Sequence, residues 1–175
     1  NEFNEYAEWA WDLKNNDLNY LKNKKLSKEE YEKAKEKYKS YLFALYFLPG
    51  NVSVFYGDEV GVDGYGNLLN RKTYPWGMED KDLLEYFKKL GKDRNNELFL
   101  ETAGLKLRDI NSDYFSYERI GPKDKMLVIT NRSGKEGRIL IPPEYNDEKT
   151  KIYTLNKSTK DIITPYGAIA IKKAC

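Results

Sequence analysis

Histidine is missing from this 175-residue chain, and cysteine occurs once, as Cys175. Without an imidazole, no Ser-His or Cys-His nucleophile pair can be assembled from these residues. No metal site with histidine or thiolate ligands can form, and one cysteine excludes an internal disulfide framework without revealing the compartment. No apolar run approaches the roughly twenty residues that a membrane-spanning helix needs. Charge of one sign is lacking too: 30 basic residues stand against 28 acidic ones, a net charge of +2. Nucleic-acid recognition calls for a one-signed patch, and here the signs alternate, so neither nucleic acid nor a membrane is expected as a partner. Gly61, Gly64 and Gly66 have neither the spacing nor the strand–turn–helix setting of a phosphate or dinucleotide loop. No cofactor is implied by the residues.

Aromatic residues are plentiful, with 15 Tyr, 7 Phe and 3 Trp, which suits amphipathic packing first and sugar stacking second. The length accommodates one domain, or a part-domain joined to a small second one. Starting at Asn1 rather than Met, the chain reads as a piece of a longer protein.

Residues 1–26 read as helical fragments and polar linker, with Phe3, Tyr6, Ala10 and Leu13 at helical spacing. Ser27-Lys28-Glu29-Glu30 is a capping box. It opens a helix whose inner face carries Tyr31, Ala34, Tyr38, Tyr41, Leu42 and Leu45, ended by Pro49-Gly50. On the lysine-rich outer face, Glu29/Lys33, Glu32/Lys35 and Glu36/Lys39 are spaced to neutralise one another, so that face is expected to be solvated. Residues 52–56 are apolar apart from Ser53, the pattern of a strand buried on both sides in a parallel sheet. A second helix is predicted from about residue 80 to 95. Glu79, Asp80 and Asp82 sit at its start, and Leu83, Leu84, Phe87 and Leu90 form its inner stripe.

Beyond residue 100 the rhythm changes. Short β-type runs fall at 105–108, 114–119, 126–130, 138–141, 151–155 and 168–171. Turn signals such as Gly121-Pro122, Ser133-Gly134 and Pro142-Pro143 separate them. This spacing predicts an antiparallel β-sandwich.

Leu48-Pro49-Gly50, an apolar strand, Tyr56-Gly57-Asp58-Glu59-x-Gly61, a glycine-rich loop, Asn70-Arg71 and then Pro75-Trp76 follow one another in that order. The combination resembles the eighth strand and following loop of α-amylase-type glycoside hydrolases, in particular the neopullulanase, cyclomaltodextrinase and oligo-glucosidase branch. The resemblance runs from the helix at Ser27 to the last predicted strand. It implies an α/β plus all-β fold: the C-terminal end of a (β/α)8 TIM barrel over residues 1–100, the last strand with its flanking helices, then an antiparallel β-sandwich over residues 101–175. It implies a parent enzyme that acts with retention on α-1,4 or α-1,6 bonds of glucans or maltooligosaccharides. The rival readings are a transglycosylase or isomerase of the same family, or a non-catalytic carbohydrate-binding relative. In that family the nucleophilic Asp, the acid/base Glu and the stabilising Asp lie on earlier strands. The expectation is therefore that this chain holds no catalytic residue and is inactive alone. Its partners would be the α-glucan substrate and the missing N-terminal part of the same barrel. The resemblance leaves room for calcium in the parent, but no metal ligands are assigned in this chain.

Arg71 is the leading candidate for substrate binding, because a guanidinium presents a fixed fork of donors to sugar hydroxyls or to a carboxylate. The resemblance matches it to a family arginine that contacts sugar on the non-reducing side of the cleavage point. The Asp and Pro that usually precede it are Asn67 and Leu68 here. Asn67 hydrogen-bonds a hydroxyl without adding negative charge. Among the aromatic residues Tyr65 is assigned to the ligand, whereas Tyr74 and Trp76 are read as pinning the loop. Asp63 is chiefly a turn signal. Asp58 and Glu59 are a tempting carboxylate pair, but adjacent residues leaving a strand point to opposite sides. They cannot face each other across one glycosidic bond at the about 5–5.5 Å that retention requires. Both are assigned a supporting role, bonding loop amides or neutralising a cation from the missing barrel.

Overall fold

A computed structural model of the chain describes residues 26–62 and 72–174. Ser27 opens helix α1 (Lys28–Phe47) with the predicted capping box. Its hydroxyl accepts from the Glu30 amide at 3.2 Å, and the Glu30 carboxylate accepts from the Ser27 amide at 2.8 Å. The helix stops where Leu48 turns extended ahead of Pro49. Helix α2 (Lys81–Asn95) starts at Asp80, whose Oδ1 accepts from the Leu83 amide at 2.9 Å. Asp82 lies in its first turn and Lys92 and Arg94 in its last, each at the end of the helix dipole that favours its charge.

The lysine face of α1 departs from the sequence expectation. Lys39 is buried, its Nζ 2.6 Å from Asp82, and Lys35 Nζ lies 3.0 Å from Asp80 and 3.4 Å from Asp82. The local partners are still there, Glu32 at 3.0 Å and Glu36 at 3.6 Å. Carboxylates from the start of α2 add countercharge that a one-helix reading cannot supply, so this face becomes a seam between the two helices.

Seven strands follow: β1 (Gly104–Ile110), β2 (Tyr114–Ile120), β3 (Asp124–Asn131), β4 (Gly137–Arg138), β5 (Lys151–Leu155), β6 (Ile162–Ile163) and β7 (Ala168–Ala174). Five form an antiparallel sheet in the order β1-β2-β3-β7-β5, and β4 pairs with β6 in a second, two-stranded sheet. Side chains alternate across the large sheet with the period of two that a pleated strand imposes. Tyr117, Met126, Val128, Ala168, Ala170, Tyr153 and Leu155 face α1 and α2, packing with Leu42, Phe43, Phe47, Phe87 and Leu90. Leu127, Ile129, Ile169 and Ile171 face the other way, against Ile163, Tyr145, Ile139 and Ile141. Strand β7 shows the logic most clearly: its alanines let the bulky helix close on the sheet, and its isoleucines fill the thinner layer opposite.

Two guanidiniums hold the C-terminal end of α1, which has no basic residue in its own last turn. Arg119 is fully buried and donates to the carbonyls of Phe47 at 2.7 Å, Leu100 at 2.6 Å and Ala103 at 2.7 Å. Burial, then the proximity of Arg94, brings its pKa down from the usual arginine value. Arg94 donates to the carbonyls of Tyr46, Leu48 (3.0 Å) and Gly50 (2.5 Å). Exposed carbonyls at a helix end need donors from elsewhere, and here both cations meet the negative end of the dipole.

The second helix is tied to the sheet through Glu97. Its buried carboxylate accepts from Lys151 at 2.8 Å and from the Tyr153 hydroxyl, and it pairs with Lys172 at 2.8 Å. Burial pushes this carboxyl up, but Lys151, Lys172 and Tyr153 together outweigh that and leave it below its ordinary value.

One element differs from the prediction. Residues 52–55 belong to no helix or strand and Tyr56 already lies in a turn, with Val54, Phe55 and Tyr56 exposed. A strand is held by hydrogen bonds to its neighbours, and no described strand pairs with this segment. Its apolar pattern is real, but the partners that would bury it are not among the described residues. Strand β4 is shorter than predicted, and β6 was not predicted.

Candidate functional site

Residues 52–56 lead into a turn built on two left-handed glycines, Gly57 (φ 86°) and Gly61 (φ 74°), on either side of a single 3-10 turn over Asp58–Val60. A Cβ on Gly61 would stand 2.2 Å from the Tyr31 hydroxyl oxygen, and one on Gly57 2.8 Å from the Val62 side chain. Both conformation and space therefore demand glycine, which gives the spacing of the motif a physical cause. The turn is fastened to α2 by the Asp80 amide, which donates to the Val60 carbonyl at 3.2 Å.

Two carboxyl groups beside this turn are shifted in opposite directions. Asp80 accepts from the Tyr31 hydroxyl at 2.8 Å and from Lys35 at 3.0 Å while capping α2. Burial pushes its carboxyl up, but the Leu83 amide, Tyr31 and Lys35 outweigh it and the net shift is downward. Asp58 accepts from the Tyr38 hydroxyl at 3.2 Å. Burial raises its carboxyl and neighbouring Glu59 adds to the rise, against the smaller effect of the Tyr38 bond. The same burial and the same contact raise the Tyr38 hydroxyl. Asp58 and Tyr38 edge a groove of about 600 Å³ between α1, residues 52–54 and the sheet, whose lining includes Leu45, Val52, Phe115 and Arg132.

On the far side of the turn three aromatic rings stack in sequence. Tyr56 meets Tyr74 edge-on with centroids 6.4 Å apart, and Tyr74 lies against Trp76 at 4.5 Å. Trp76 is 81% exposed. Among the described residues its ring packs on Tyr74 and otherwise points outward. The reason lies in the turn around Pro75: the Trp76 amide donates to the Tyr74 carbonyl at 2.9 Å and the Met78 amide to the Pro75 carbonyl at 2.8 Å.

Arg71, Asn67, Tyr65 and Asp63 lie outside the described residues. The described flanks of their loop are the Gly57–Val62 turn on one side and the Tyr74–Trp76 stack on the other. Asp58 and Glu59 share the 3-10 turn, as neighbours rather than as a facing pair. The sequence reading missed Tyr31, Tyr38 and Asp80 as parts of this site. The first two were assigned to the apolar stripe of α1, and a tyrosine buries its ring in just that way while its hydroxyl reaches a partner. Such hydroxyls on a helix facing an acidic turn were the available signal.

No family model matches the chain. It is 42% identical over 71 residues to the amylopullulanase of Thermoanaerobacter thermohydrosulfuricus, covering 41% of this chain and 5% of that protein. It is 32% identical over 126 residues to the amylopullulanase of Thermoanaerobacterium saccharolyticum, covering 66% of this chain and 9% of that protein. Its fold matches that of an Anoxybacillus α-amylase with a TM-score of 0.65 at 21% identity, over 78% of this chain and 32% of the other. These similarities support an α-amylase-family fragment, whose helices and antiparallel sheets match the C-terminal β-sandwich region of solved structures of that family. The chain spans less than a tenth of the length of these two curated relatives.

Proposed function

We propose that this chain is part of an enzyme that hydrolyses α-1,4 or α-1,6 glucosidic bonds of glucans or maltooligosaccharides with retention of configuration. The likeness to amylopullulanases carries this reading, since 42% identity is concentrated in 71 residues. Retention needs two carboxyl groups facing each other about 5–5.5 Å apart across the scissile bond. Asp58 and Glu59, consecutive in one 3-10 turn, do not offer that arrangement. The reacting carboxylates are therefore assigned to the rest of the barrel, and the chain alone is inactive.

In this reading residues 1–100 complete the barrel and residues 101–175 form the sandwich that buttresses it. The loop between the Gly57 turn and the aromatic stack brings Arg71, Asn67 and Tyr65 to the sugar. Asp58, which accepts from the Tyr38 hydroxyl in this chain, is assigned the supporting role of neutralising a cation from the barrel. Incubation of the purified chain with maltoheptaose should give no turnover. In the longer enzyme, Arg71→Ala should lower kcat/KM by roughly 10- to 100-fold, the loss expected for one or two charge-assisted hydrogen bonds. Turnover by the chain after removal of contaminating amylase would overturn the first statement. An unchanged kcat/KM in the variant would overturn the second.

A further inference from the structure

We propose that Tyr31 and Asp80 are positioning residues that clasp the two ends of the stretch 61–79, so that the loop holding Arg71 leaves from and returns to one fixed base. The stretch departs at Gly61 and comes back at Asp80, and its ends touch: the Asp80 amide donates to the Val60 carbonyl at 3.2 Å. Tyr31, near the start of α1, closes this contact from the side. Its hydroxyl donates to Asp80 Oδ2 at 2.8 Å. The same oxygen lies so near Gly61 that a Cβ there would stand 2.2 Å from it. One hydroxyl therefore bears on departure and return at once.

Helix α2 does not need all of this. Its cap uses Asp80 Oδ1 alone, which accepts from the Leu83 amide at 2.9 Å, and serine caps a helix about as well as aspartate. Oδ2 is turned instead toward α1, where it accepts from Tyr31 and, at 3.0 Å, from Lys35. Lys35 has other carboxylates at hand, Glu32 at 3.0 Å and Asp82 at 3.4 Å, whereas the Tyr31 hydroxyl faces the base of the stretch. The Asp80 side chain is 14% exposed, so water competes little for these contacts. A loop whose ends are already fixed has less freedom to lose when it meets a ligand. The clasp rests on this geometry alone, whereas its service to Arg71 rests on the proposed function.

The test has two arms. In the first, hydrogen exchange of the 175-residue chain is followed by NMR for wild type, Tyr31→Phe and Asp80→Ser, a variant that keeps a cap for α2 but is too short to reach α1. Corrected for intrinsic rates, exchange of the residue 80 amide should quicken about fivefold in Tyr31→Phe and about twentyfold in Asp80→Ser, the scale of one and of two hydrogen bonds. The Leu90 and Met126 amides, in the body of α2 and β3, should stay within about twofold. No quickening at residue 80, or equal quickening at all three amides, overturns the clasp whatever the enzyme acts on. In the second arm, Tyr31→Phe in the longer enzyme should raise KM for maltoheptaose about threefold with kcat within about twofold, and should add nothing further in an Arg71→Ala background. An unchanged KM, or a loss that adds fully to that of Arg71→Ala, overturns the positioning role. Absence of turnover by the wild-type longer enzyme overturns the proposed function and with it the role of the clasp, but not the clasp, which the exchange arm judges without activity.

Discussion

Replacing Arg119 with methionine should destabilise the chain by about 4 kcal/mol. The guanidinium is fully buried and satisfies the carbonyls of Phe47, Leu100 and Ala103 at 2.6–2.7 Å. Methionine retains much of the apolar stem and removes every donor. Each buried carbonyl left unpaired costs about 1–3 kcal/mol, so three cost roughly 3–9 kcal/mol. Against this stands the relief of no longer desolvating a cation, several kcal/mol after relaxation. The difference falls near the roughly 3–5 kcal/mol seen when one side of a buried charged contact is deleted. Urea denaturation followed by circular dichroism reads the effect as a lower midpoint with an unchanged slope. Hydrogen exchange at the Leu45 and Leu48 amides should speed up as the end of α1 loses its clamp. Arg119→Lys should fall between the two, because a compact ammonium cannot span three carbonyls. A methionine variant within about 1 kcal/mol of wild type at equal slope would refute the reasoning, since the carbonyls would then have found other donors at no cost.

Glu97 titrates below its ordinary value in the fold, so its contribution to stability is full above the unfolded value of about 4.3 and is lost as pH falls through the folded value. Glu97→Gln should flatten this acid limb and cost about 1–3 kcal/mol at pH 7; an acid limb identical to wild type by pH-dependent urea titration contradicts the assignment. Asp58 has the opposite sign: its folded pKa is raised, so its contribution is present at low pH and lost as pH rises through that folded value. Asp58→Asn keeps an acceptor for the Tyr38 hydroxyl and should leave stability at pH 7 unchanged or improved by up to about 1 kcal/mol. A clear loss in thermal unfolding would mean that the ionised carboxylate is favourably held.

Local signals carried most of the secondary structure. The Ser27–Glu30 box marks the start of α1, and the acidic start of α2 coincides with its cap at Asp80. The ten-residue beat after residue 100 corresponds to the long strands because alternation and turns are encoded within a few residues of each other. What depends on distant partners was not legible. The lysines of α1 turn inward because Asp80 and Asp82 arrive from another helix. Strand β6 is two residues long and is defined by its pairing with β4. Residues 52–56 carry the apolar pattern of a buried strand, yet pattern alone cannot supply a ladder. At the site, the motif contains the two glycines that the turn requires, but nothing in it marks the outward Trp76, whose position follows from backbone turns around Pro75 rather than from side-chain periodicity.

The placement of β7 has a consequence for how the chain is made. It follows every other described strand in sequence, yet it lies between β3 and β5 in the large sheet. During synthesis, which runs from the N-terminus, α1 and α2 can form early and β1 to β3 can zip as a meander. The hairpin-linked half then waits with one flank open, and Tyr153 and Leu155 have no ladder to join. Assembly of the five-stranded sheet is therefore a closing step set by β7, and loss of that strand removes an interior strand and detaches β5 from the rest of the sheet.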